Sequence, residues 1–218
     1  MQMTIDDMTK LIIPENFGCD EDGYGEMLED FAEQFPCEYA YGISKFVIFM
    51  NDEYVAKIPF NGEWFYSEDE EDYVFDAFTV VDDYCAEEAY IYDCAKNRGI
   101  EEFFAETKFA GYTKDHTPFY LSERINKTLD ESWDDVRNID IIAAREYVRS
   151  DKGSGLRDRR LSDRWLAVAL EKYGQEKVDK FAEFIEEFDI NDLHCANVGF
   201  RKDGSPVLID YSGWRGEF

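Results

Sequence analysis

The chain has 218 residues and a net charge of −27, because 50 Asp and Glu residues outnumber 23 Lys and Arg residues. Hydrophobic residues make up 44% and aromatic residues 17% of the chain, which favours a folded globular protein over a disordered one. Such acidity is the reverse of a nucleic-acid-binding surface, so direct nucleic-acid binding is not expected.

The cysteines and the N-terminus exclude several further classes. The five cysteines are odd in number, form no CxxC pair, and are accompanied by only two histidines. We therefore expect neither a zinc site nor a disulfide framework. The N-terminal segment has no basic start followed by an apolar run, and no stretch reaches the ~18 apolar residues of a membrane span. We expect a cytoplasmic protein that makes no membrane contact.

The first part of the chain predicts a helix, a hairpin and an acidic segment. Apolar residues at helical spacing predict an amphipathic helix over residues 24–35, ended by Pro36. Between residues 44 and 60, two apolar runs flank Asn51-Asp52 and predict a β-hairpin. The acidic run SEDEED opens residues 67–83, for which we predict an exposed insertion that leads into a helix.

The middle of the chain predicts one helix followed by two strands. The helix is predicted over residues 84–97, with Asn97-Arg98-Gly99 as its C-terminal cap. The strands are predicted over residues 103–112 and 117–125, on either side of the polar Lys114-Asp115-His116.

Strand signals disappear after residue 125. Residues 126–190 are predicted to be mostly helical, with a loop over 150–160 and a helix over 176–188, and one last hairpin follows. This order predicts an α+β protein with an N-terminal lobe over residues 1–125 and a reduced helical lobe over residues 126–218.

The last hairpin carries the most informative residues. Short apolar runs flank Asp203-Gly204, a favoured hairpin turn. If the hairpin is symmetric about that turn, Asn197 and Asp210 pair across it, with Cβ atoms about 5 Å apart. A carboxylate oxygen and an amide oxygen at that separation suit Mg²⁺, which also keeps waters and phosphate oxygens as ligands. Asp192 lies where the preceding helix gives way to the loop, within reach of a substrate hydroxyl beside the metal.

This pattern resembles a known superfamily. Asp192-x4-Asn197 followed by Asp210 resembles the catalytic loop and metal-binding element of the protein kinase-like superfamily, in the style of its aminoglycoside and choline kinase branches. The resemblance implies that Asp192 is the catalytic base and that Asn197 and Asp210 are magnesium ligands. The alternative is an ordinary polar hairpin in which Asx residues cap turns.

A second part of the resemblance lies in the N-terminal half. Tyr54-Val55-Ala56-Lys57 stands on a predicted strand where the superfamily has V-A-I-K, which implies that Lys57 holds the phosphates of ATP. Glu88 shares a helix face with apolar residues, and a carboxylate on such a face is costly unless it is paired. We therefore predict a Lys57–Glu88 ion pair, with Glu87 as the alternative partner.

The resemblance also assigns residues to the nucleotide. These residues are Gly42, Val55, Lys57, Glu123 and Ile125, the last two from a hinge whose backbone would hold adenine. The glycine-rich phosphate loop is poorly matched, because only Gly42 remains and Ala40 and Lys45 stand at the other two glycine positions. A simple turn and a plain interlobe connection are the alternatives for these segments.

Three features depart from the superfamily. Ile190-Asn191 replaces the usual His-Arg or His-Gly, and Asp210-Tyr-Ser-Gly213 has one residue more than D-F-G. Only eight residues follow Asp210, so we expect no activation segment and no peptide-docking platform. The expected fold is a two-lobed kinase-like fold with a five-stranded antiparallel sheet and one helix in the first lobe. Its second lobe is helical and ends in the catalytic-loop hairpin.

Two functions are compatible with these residues. The first is an ATP- and Mg²⁺-dependent phosphotransferase with an unassigned phosphoryl acceptor, and AMP transfer would use a similar residue set. The second is a catalytically weak or inactive kinase-like module whose acidic surface engages a basic protein partner. The basic cluster Arg157-Asp-Arg-Arg160 is expected to pair with neighbouring carboxylates, or alternatively to meet a phosphorylated or acidic ligand.

Overall fold

The computed structural model of the protein describes residues 2–13, 37–41, 44–59, 63–67, 72–76, 83–125, 127–129, 136, 138–157 and 159–212. The chain divides into two compact units. The first unit comprises Met1–Ala89 and Thr107–Arg124, and the second comprises Tyr90–Glu106 and Ile125–Phe218. The helix predicted over residues 24–35 lies outside the described residues.

The first unit is built mainly from strands. Its described strands are β1 (Tyr39–Tyr41), β2 (Lys45–Phe49), β3 (Tyr54–Pro59), β4 (Glu63–Ser67), β5 (Asp72–Asp76), β6 (Thr107–Tyr112) and β7 (Pro118–Glu123). Five of them form one sheet in the order β1-β2-β3-β7-β6, and every neighbouring pair is antiparallel. The predicted five-stranded antiparallel sheet is therefore confirmed.

The hairpin predicted over residues 44–60 is present, and the two strands predicted later in the chain also pair with each other. Strands β2 and β3 pair around the turn, which Asn51 closes, because its Oδ1 accepts the backbone N–H groups of Glu53 and Tyr54 at 2.8 and 2.9 Å. Strands β6 and β7 lie on either side of the polar residues 114–116, and β6 begins at Thr107 rather than at residue 103 as predicted.

The alternation of side chains along β2 gives the sheet one apolar face. Phe46 and Ile48 are fully buried in a core that the N-terminal segment completes. The buried residues of that segment are Met3, Met8, Leu11 and Ile13. Because successive side chains of a strand point to opposite faces, Lys45 and Val47 lie on the other face. Val47 is registered opposite Lys57, so Lys45 and Lys57 share that second face.

A hairpin that was not predicted overlaps the start of the predicted acidic insertion. Strands β4 and β5 pair antiparallel from Glu63–Asp76 to Ser67–Asp72 and form a separate two-stranded sheet. Both strands are rich in aromatic residues, which favour extended structure. An exposed insertion was predicted here because of the neighbouring negative charges, and the aromatic residues that indicate strands were not taken into account. The acidic residues 68–71 lie outside the described residues.

The helices of the described residues are α1 (Ile5–Met8), α2 (Tyr84–Asn97), α3 (Ile142–Arg149), α4 (Asp163–Tyr173) and α5 (Gln175–Glu187). The helix predicted over residues 84–97 is confirmed as α2, and so is its cap. Gly99 has a φ of 69°, and the Ile100 N–H donates to the Ala95 carbonyl at 3.1 Å, as in a Schellman motif.

The second unit combines helices with a small sheet. Strands β8 (Lys127–Thr128), β9 (Val198–Phe200) and β10 (Pro206–Leu208) form a three-stranded sheet in the order β10-β9-β8. The predicted helical character of residues 126–190 is confirmed in α3, α4 and α5. Strand β8 was not predicted, because two residues are too few to show an alternating pattern.

The core of the second unit is aromatic. The Phe181 ring lies 4.5 Å from that of Phe103 and 5.7 Å from that of Trp165, measured between centroids, and all three side chains are fully buried. The predicted loop at 150–160 packs closely on α5 at Gly155. A Cβ atom at that position would lie 2.3 Å from the Ala182 carbonyl oxygen, so only glycine fits.

The protein therefore has the predicted mixed composition of strands and helices, with a five-stranded antiparallel sheet and several helices, which is consistent with a kinase-like fold. No helix within the described ranges combines the length and the apolar character that crossing a bilayer requires.

Candidate functional site

A buried cluster of charges lies on the second face of the large sheet in the first unit. Lys57 Nζ is 2.6 Å from Glu88 Oε2, and Lys45 Nζ is 2.7 Å from Glu88 Oε1. The exposed fractions of the three side chains are only 4%, 5% and 0% for Lys57, Lys45 and Glu88. The predicted ion pair between Lys57 and Glu88 is present, and Lys45 joins it.

The start of α2 explains why Glu88 points at the lysines. Asp83 Oδ1 accepts the Ala86 backbone N–H at 2.9 Å, as a capping side chain does, and Asp83 Oδ2 accepts the Tyr120 hydroxyl at 2.6 Å. Tyr120 stands opposite Lys57 in the sheet, so this bond ties the first turn of the helix to the strand beside Lys57. Glu88 is then fully buried, whereas Glu87 is half-buried, which decides between the two candidate partners in favour of Glu88.

Burial shifts the ionisation of two neighbours of this cluster. Burial raises the pKa of the Tyr120 hydroxyl, and its hydrogen bond to the Asp83 carboxylate acts in the same direction. Burial also raises the pKa of the Cys85 thiol well above its usual range, although the positive charge of Lys45 opposes that shift. Both groups therefore stay protonated and neutral at neutral pH.

Sequence reasoning missed the role of Lys45. It registered Lys45 only as a residue in place of a glycine. The alternation of side chains along β2 identifies it. Lys45 is two residues from Val47, and Val47 pairs with Lys57 across the sheet, so Lys45 and Lys57 lie on the same face.

The other residues assigned to the nucleotide have different positions. Val55 is buried on β3 and lies on the same face as Lys57, two residues away. Glu123 ends β7 and is half-buried. Ile125 is half-buried and belongs to the second unit. Gly42 lies outside the described residues. The structure places Val55 beside Lys57, and the assignment of these residues to a nucleotide stays a prediction.

In the second unit, the end of α5 directs the chain into the predicted catalytic loop. Asp189 has a φ of 50°, and the Ile190 N–H donates to the Ile185 carbonyl at 3.1 Å. The Asp189 N–H donates to the Glu186 carbonyl at 3.3 Å, which completes a Schellman motif with Asp in the position that glycine usually takes. Ile190 is buried and anchors the turn.

Asp192 is surrounded by groups that hold its carboxylate in place. Asn197 Nδ2 donates to the Asp192 carbonyl at 2.8 Å and to its Oδ2 at 3.3 Å. His194 Nε2 lies 3.6 Å from the same Oδ2, and His194 Nδ1 accepts the Ala196 N–H at 3.1 Å. This last bond favours the tautomer with its proton on Nε2, facing Asp192. The carboxylate remains partly exposed, at 39% of its side-chain surface.

Residues of the basic cluster at 157–160 brace the predicted catalytic loop. The Leu193 N–H donates to the Arg159 carbonyl at 3.2 Å, and Arg159 Nη1 donates to Asp189 Oδ1 at 2.8 Å. Arg160, with a φ of 61°, places Nη1 3.9 Å from Asp192 Oδ1. The expectation that this cluster pairs with neighbouring carboxylates is confirmed.

The predicted register of the last hairpin is wrong by one residue. Pro206 pairs with Phe200 and Leu208 with Val198, so the partner of Asn197 is Ile209 rather than Asp210. The prediction assumed a two-residue turn at Asp203-Gly204. Instead Gly204, with a φ of 78°, closes a three-residue loop between Arg201 and Ser205, which are joined by an Arg201 N–H to Ser205 carbonyl bond of 2.9 Å.

Asn197 and Asp210 are nevertheless neighbours through the backbone. The Asn197 carbonyl accepts the Ile209 N–H at 2.7 Å and the Asp210 N–H at 3.3 Å. The Asn197 amide nitrogen is directed to Asp192, so its oxygen is the atom of that side chain with the chemistry to bind a cation.

Core side chains fasten this hairpin to the rest of the second unit. Tyr211 directly follows Asp210 in the chain, and its hydroxyl donates to the Ala105 carbonyl at 2.8 Å. Arg201 donates to two further carbonyls, Trp165 Nε1 donates to the Gly199 carbonyl at 3.2 Å, and Tyr173 donates to the Pro206 carbonyl at 3.0 Å. The backbone on both sides of the candidate metal ligands is therefore rigidly held.

The donor chemistry of Asn197 and Asp210 fits Mg²⁺. In the part of the chain that the structure describes, no three His, Cys, Asp or Glu side chains form a group able to hold a metal ion. Mg²⁺ is commonly bound through one or two carboxylates and completes its shell with waters and substrate phosphates, so a large protein cage is not required.

No family profile and no curated protein match the chain. Among solved structures it is similar to the streptomycin-ATP-APH(2″)-IIa ternary complex, with 13% identity, a TM-score of 0.31, and coverage of 86% of this chain and 70% of that one. At that TM-score the likeness supports no conclusion about the activity of this chain.

Proposed function

We propose that this chain is a Mg²⁺-dependent phosphotransferase that uses ATP. The observation that carries the proposal is the buried ion pair between Lys57 and Glu88, at 2.6 Å. A buried lysine is costly unless a carboxylate compensates it, and a lysine held in this way presents a fixed point charge suited to phosphate. Lys57 would contact the phosphates of ATP, and Glu88 would keep its ammonium group in position.

The loop of the second unit supplies the group for proton transfer. Asp192 would accept the proton of an acceptor hydroxyl, whose oxygen then forms a bond to the γ-phosphorus. The bond between that phosphorus and the bridging oxygen breaks, and ADP leaves with the electron pair. The Asn197 amide supports this role, because it donates both to the backbone carbonyl of Asp192 and to its carboxylate, which it thereby orients.

Asn197 and Asp210 would hold the metal. When bound, Mg²⁺ neutralises phosphate charge during transfer. The residues themselves contribute one amide oxygen and one carboxylate, on backbone fixed by the hairpin and by Tyr211.

Mutation of Asp192 tests the proposal. We expect the wild-type protein to bind ATP with Mg²⁺ and to form ADP, measured by calorimetry and by ADP release. Asp192→Asn should bind ATP with a dissociation constant within about threefold of wild type, yet lose about 100-fold or more of its turnover, the usual contribution of a general base.

Asp203→Asn is the matched control, because Asp203 is an exposed carboxylate in the turn of the hairpin. It should retain turnover. Equal turnover in Asp192→Asn and wild type would remove Asp192 from the base role, and absence of ATP binding by wild type would reject the proposed function.

A second candidate function rests on the net charge of −27. A kinase-like module without catalysis would use this acidity to bind a basic protein partner. Failure of the wild-type protein to bind ATP, together with salt-sensitive binding of a basic protein, would favour this alternative.

A further inference from the structure

Arg160 lies beside the carboxylate proposed as the base, and both residues belong to the second unit. Arg160 Nη1 is 3.9 Å from Asp192 Oδ1, which is longer than a hydrogen bond, and 74% of the Arg160 side chain is exposed. An exposed ion pair of this kind contributes little to stability. The guanidinium is therefore close to the proposed reacting group and accessible to a ligand.

The backbone fixes this position of Arg160. The carbonyl of Arg159, the preceding residue, accepts the Leu193 N–H at 3.2 Å, and Leu193 directly follows Asp192. Arg160 itself has a φ of 61°, a conformation that is uncommon for residues other than glycine, asparagine and aspartate. Such conformations persist where the surrounding structure determines them, and they cluster at active sites. The segment that carries Arg160 is thus held against the loop that carries Asp192.

A positive charge at this place meets a requirement of the proposed reaction. Asp192 is a carboxylate in a chain with a net charge of −27, and the phosphoryl group beside it is also negative, so the two repel each other. A general base contacts the acceptor hydroxyl at about 2.6–3.2 Å, and the acceptor oxygen starts about 3–3.5 Å from the atom that it attacks. The phosphoryl group must therefore lie about 6 Å from the Asp192 carboxylate, within reach of a flexible arginine side chain that already borders that carboxylate.

The chemistry of arginine suits that group. Its planar guanidinium presents paired N–H donors that match two phosphate oxygens, and the negative charge on those oxygens must be neutralised during transfer. We propose that Arg160 contacts the transferring phosphoryl group of ATP and stabilises the charge on its oxygens in the transition state. This inference rests on the proposed function, because it assigns a further catalytic residue to the same reaction.

The first test is ATP hydrolysis by the full chain with Mg²⁺, in which water takes the place of the unassigned acceptor. The water oxygen forms a bond to the γ-phosphorus, ADP leaves with the electron pair of the bridging bond, and Asp192 accepts the proton. Arg160→Gln should lower kcat about 100-fold or more, the usual loss for one such donor, and should change the affinity for ATP by less than about threefold. Arg145→Gln should change neither, because Arg145 is an exposed arginine that pairs with Asp163 elsewhere in the same unit.

The second test is the binding of ADP and Mg²⁺ with and without tetrafluoroaluminate, which mimics the transferring phosphoryl group, measured by calorimetry. The wild type should bind ADP at least about tenfold more tightly with the mimic, because a transition-state mimic gains contacts that the ground state lacks. Arg160→Gln should lose most of this gain and bind ADP alone within about threefold of wild type. The loss should also occur in the Asp192→Asn variant, because Arg160 acts on the ligand directly.

The outcomes separate direct stabilisation from a structural role. Unchanged kcat and unchanged binding of the mimic in Arg160→Gln would overturn the inference and leave the proposed function intact. Equal weakening of ADP binding with and without the mimic would overturn it, since a distorted site explains that result. An effect that disappears in Asp192→Asn would also overturn it, because Arg160 would then be a positioning residue for the base.

The wild-type protein provides the remaining criteria. A wild type that binds ADP no more tightly with the mimic would overturn the inference, and absence of any nucleotide binding would overturn the proposed function with it. If hydrolysis is too slow to measure, the binding series decides by the same criteria. If Arg160→Gln does not fold, as judged by circular dichroism, Arg160→Asn takes its place, because asparagine tolerates a positive φ.

Discussion

At the residue scale, the most consequential side chain is Glu88. It is fully buried on α2, and its carboxylate contacts both Lys45 and Lys57. Removing one member of a buried ionic cluster weakens the compensation of the other charges, which costs more than the intact cluster contributes.

Substitution of Glu88 tests this arrangement. Glu88→Gln should lower the free energy of unfolding by about 3 kcal/mol, because two buried ammonium groups lose their shared carboxylate. Glu87→Gln, one residue earlier on the same helix and only half-buried, should cost less than about 1 kcal/mol. Urea unfolding of the two variants measures the difference. Equal losses would contradict the assignment of Glu88 as the partner.

At the element scale, a buried tyrosine links two helices of the second unit. The Tyr147 hydroxyl on α3 donates to Asp179 Oδ1 on α5 at 3.0 Å, and Tyr147 is 6% exposed. Burial raises the pKa of this hydroxyl above its usual value of 10.0, and the bond to Asp179 raises it further.

This shift gives a prediction for stability at alkaline pH. Because the folded-state pKa is the higher one, the contribution of Tyr147 is complete below pH 10 and is lost as pH rises toward the folded-state pKa. Tyr147→Phe should therefore be about 1 kcal/mol less stable than wild type at pH 8, and the difference should shrink by pH 11. Unfolding experiments at both pH values measure it.

Tyr112→Phe serves as the control, because Tyr112 is an exposed tyrosine. It should cost less than about 0.5 kcal/mol at pH 8. A Tyr147→Phe difference that grows with pH would contradict the sign of the shift.

Helix α2 was predictable from the sequence, whereas strand β8 and the register of the last hairpin were not. Helix α2 carries its own signals, an apolar face and the cap at Gly99, and it was predicted at both ends. The register of β9 and β10 depends on the turn between them. A turn with a positive φ at both Asp203 and Gly204 and a turn with a positive φ at Gly204 alone give different registers, and the sequence Asp-Gly is compatible with both. Strand β8 has only two residues, and its extended conformation depends on pairing with β9.

The residues of the candidate site also differ in how far the sequence predicts them. The ion pair between Lys57 and Glu88 was predicted, because a carboxylate on an apolar helix face needs a partner, whereas the catalytic role of Asp192 stays a prediction. Lys45 was missed, because its role depends on a contact with a residue 43 positions away in the chain. Such contacts follow from packing rather than from local pattern.

At the scale of the whole molecule, two units each contribute a separate part of the proposed chemistry. The first unit holds the buried lysines with Glu88, and the second holds Asp192, Asn197 and Asp210 on a loop and hairpin fixed by core side chains. The central claim is that the chain binds ATP with Mg²⁺.

Unfolding of the full chain in the presence of nucleotide tests that claim most directly. ATP with Mg²⁺ at about 100 times its dissociation constant should stabilise the wild-type protein by about 2.7 kcal/mol. Asp210→Ala should lose the part of this gain that depends on Mg²⁺, whereas Asp203→Ala, in the same hairpin, should keep it. An unfolding midpoint of the wild-type protein that does not change at millimolar ATP and Mg²⁺ would contradict the account.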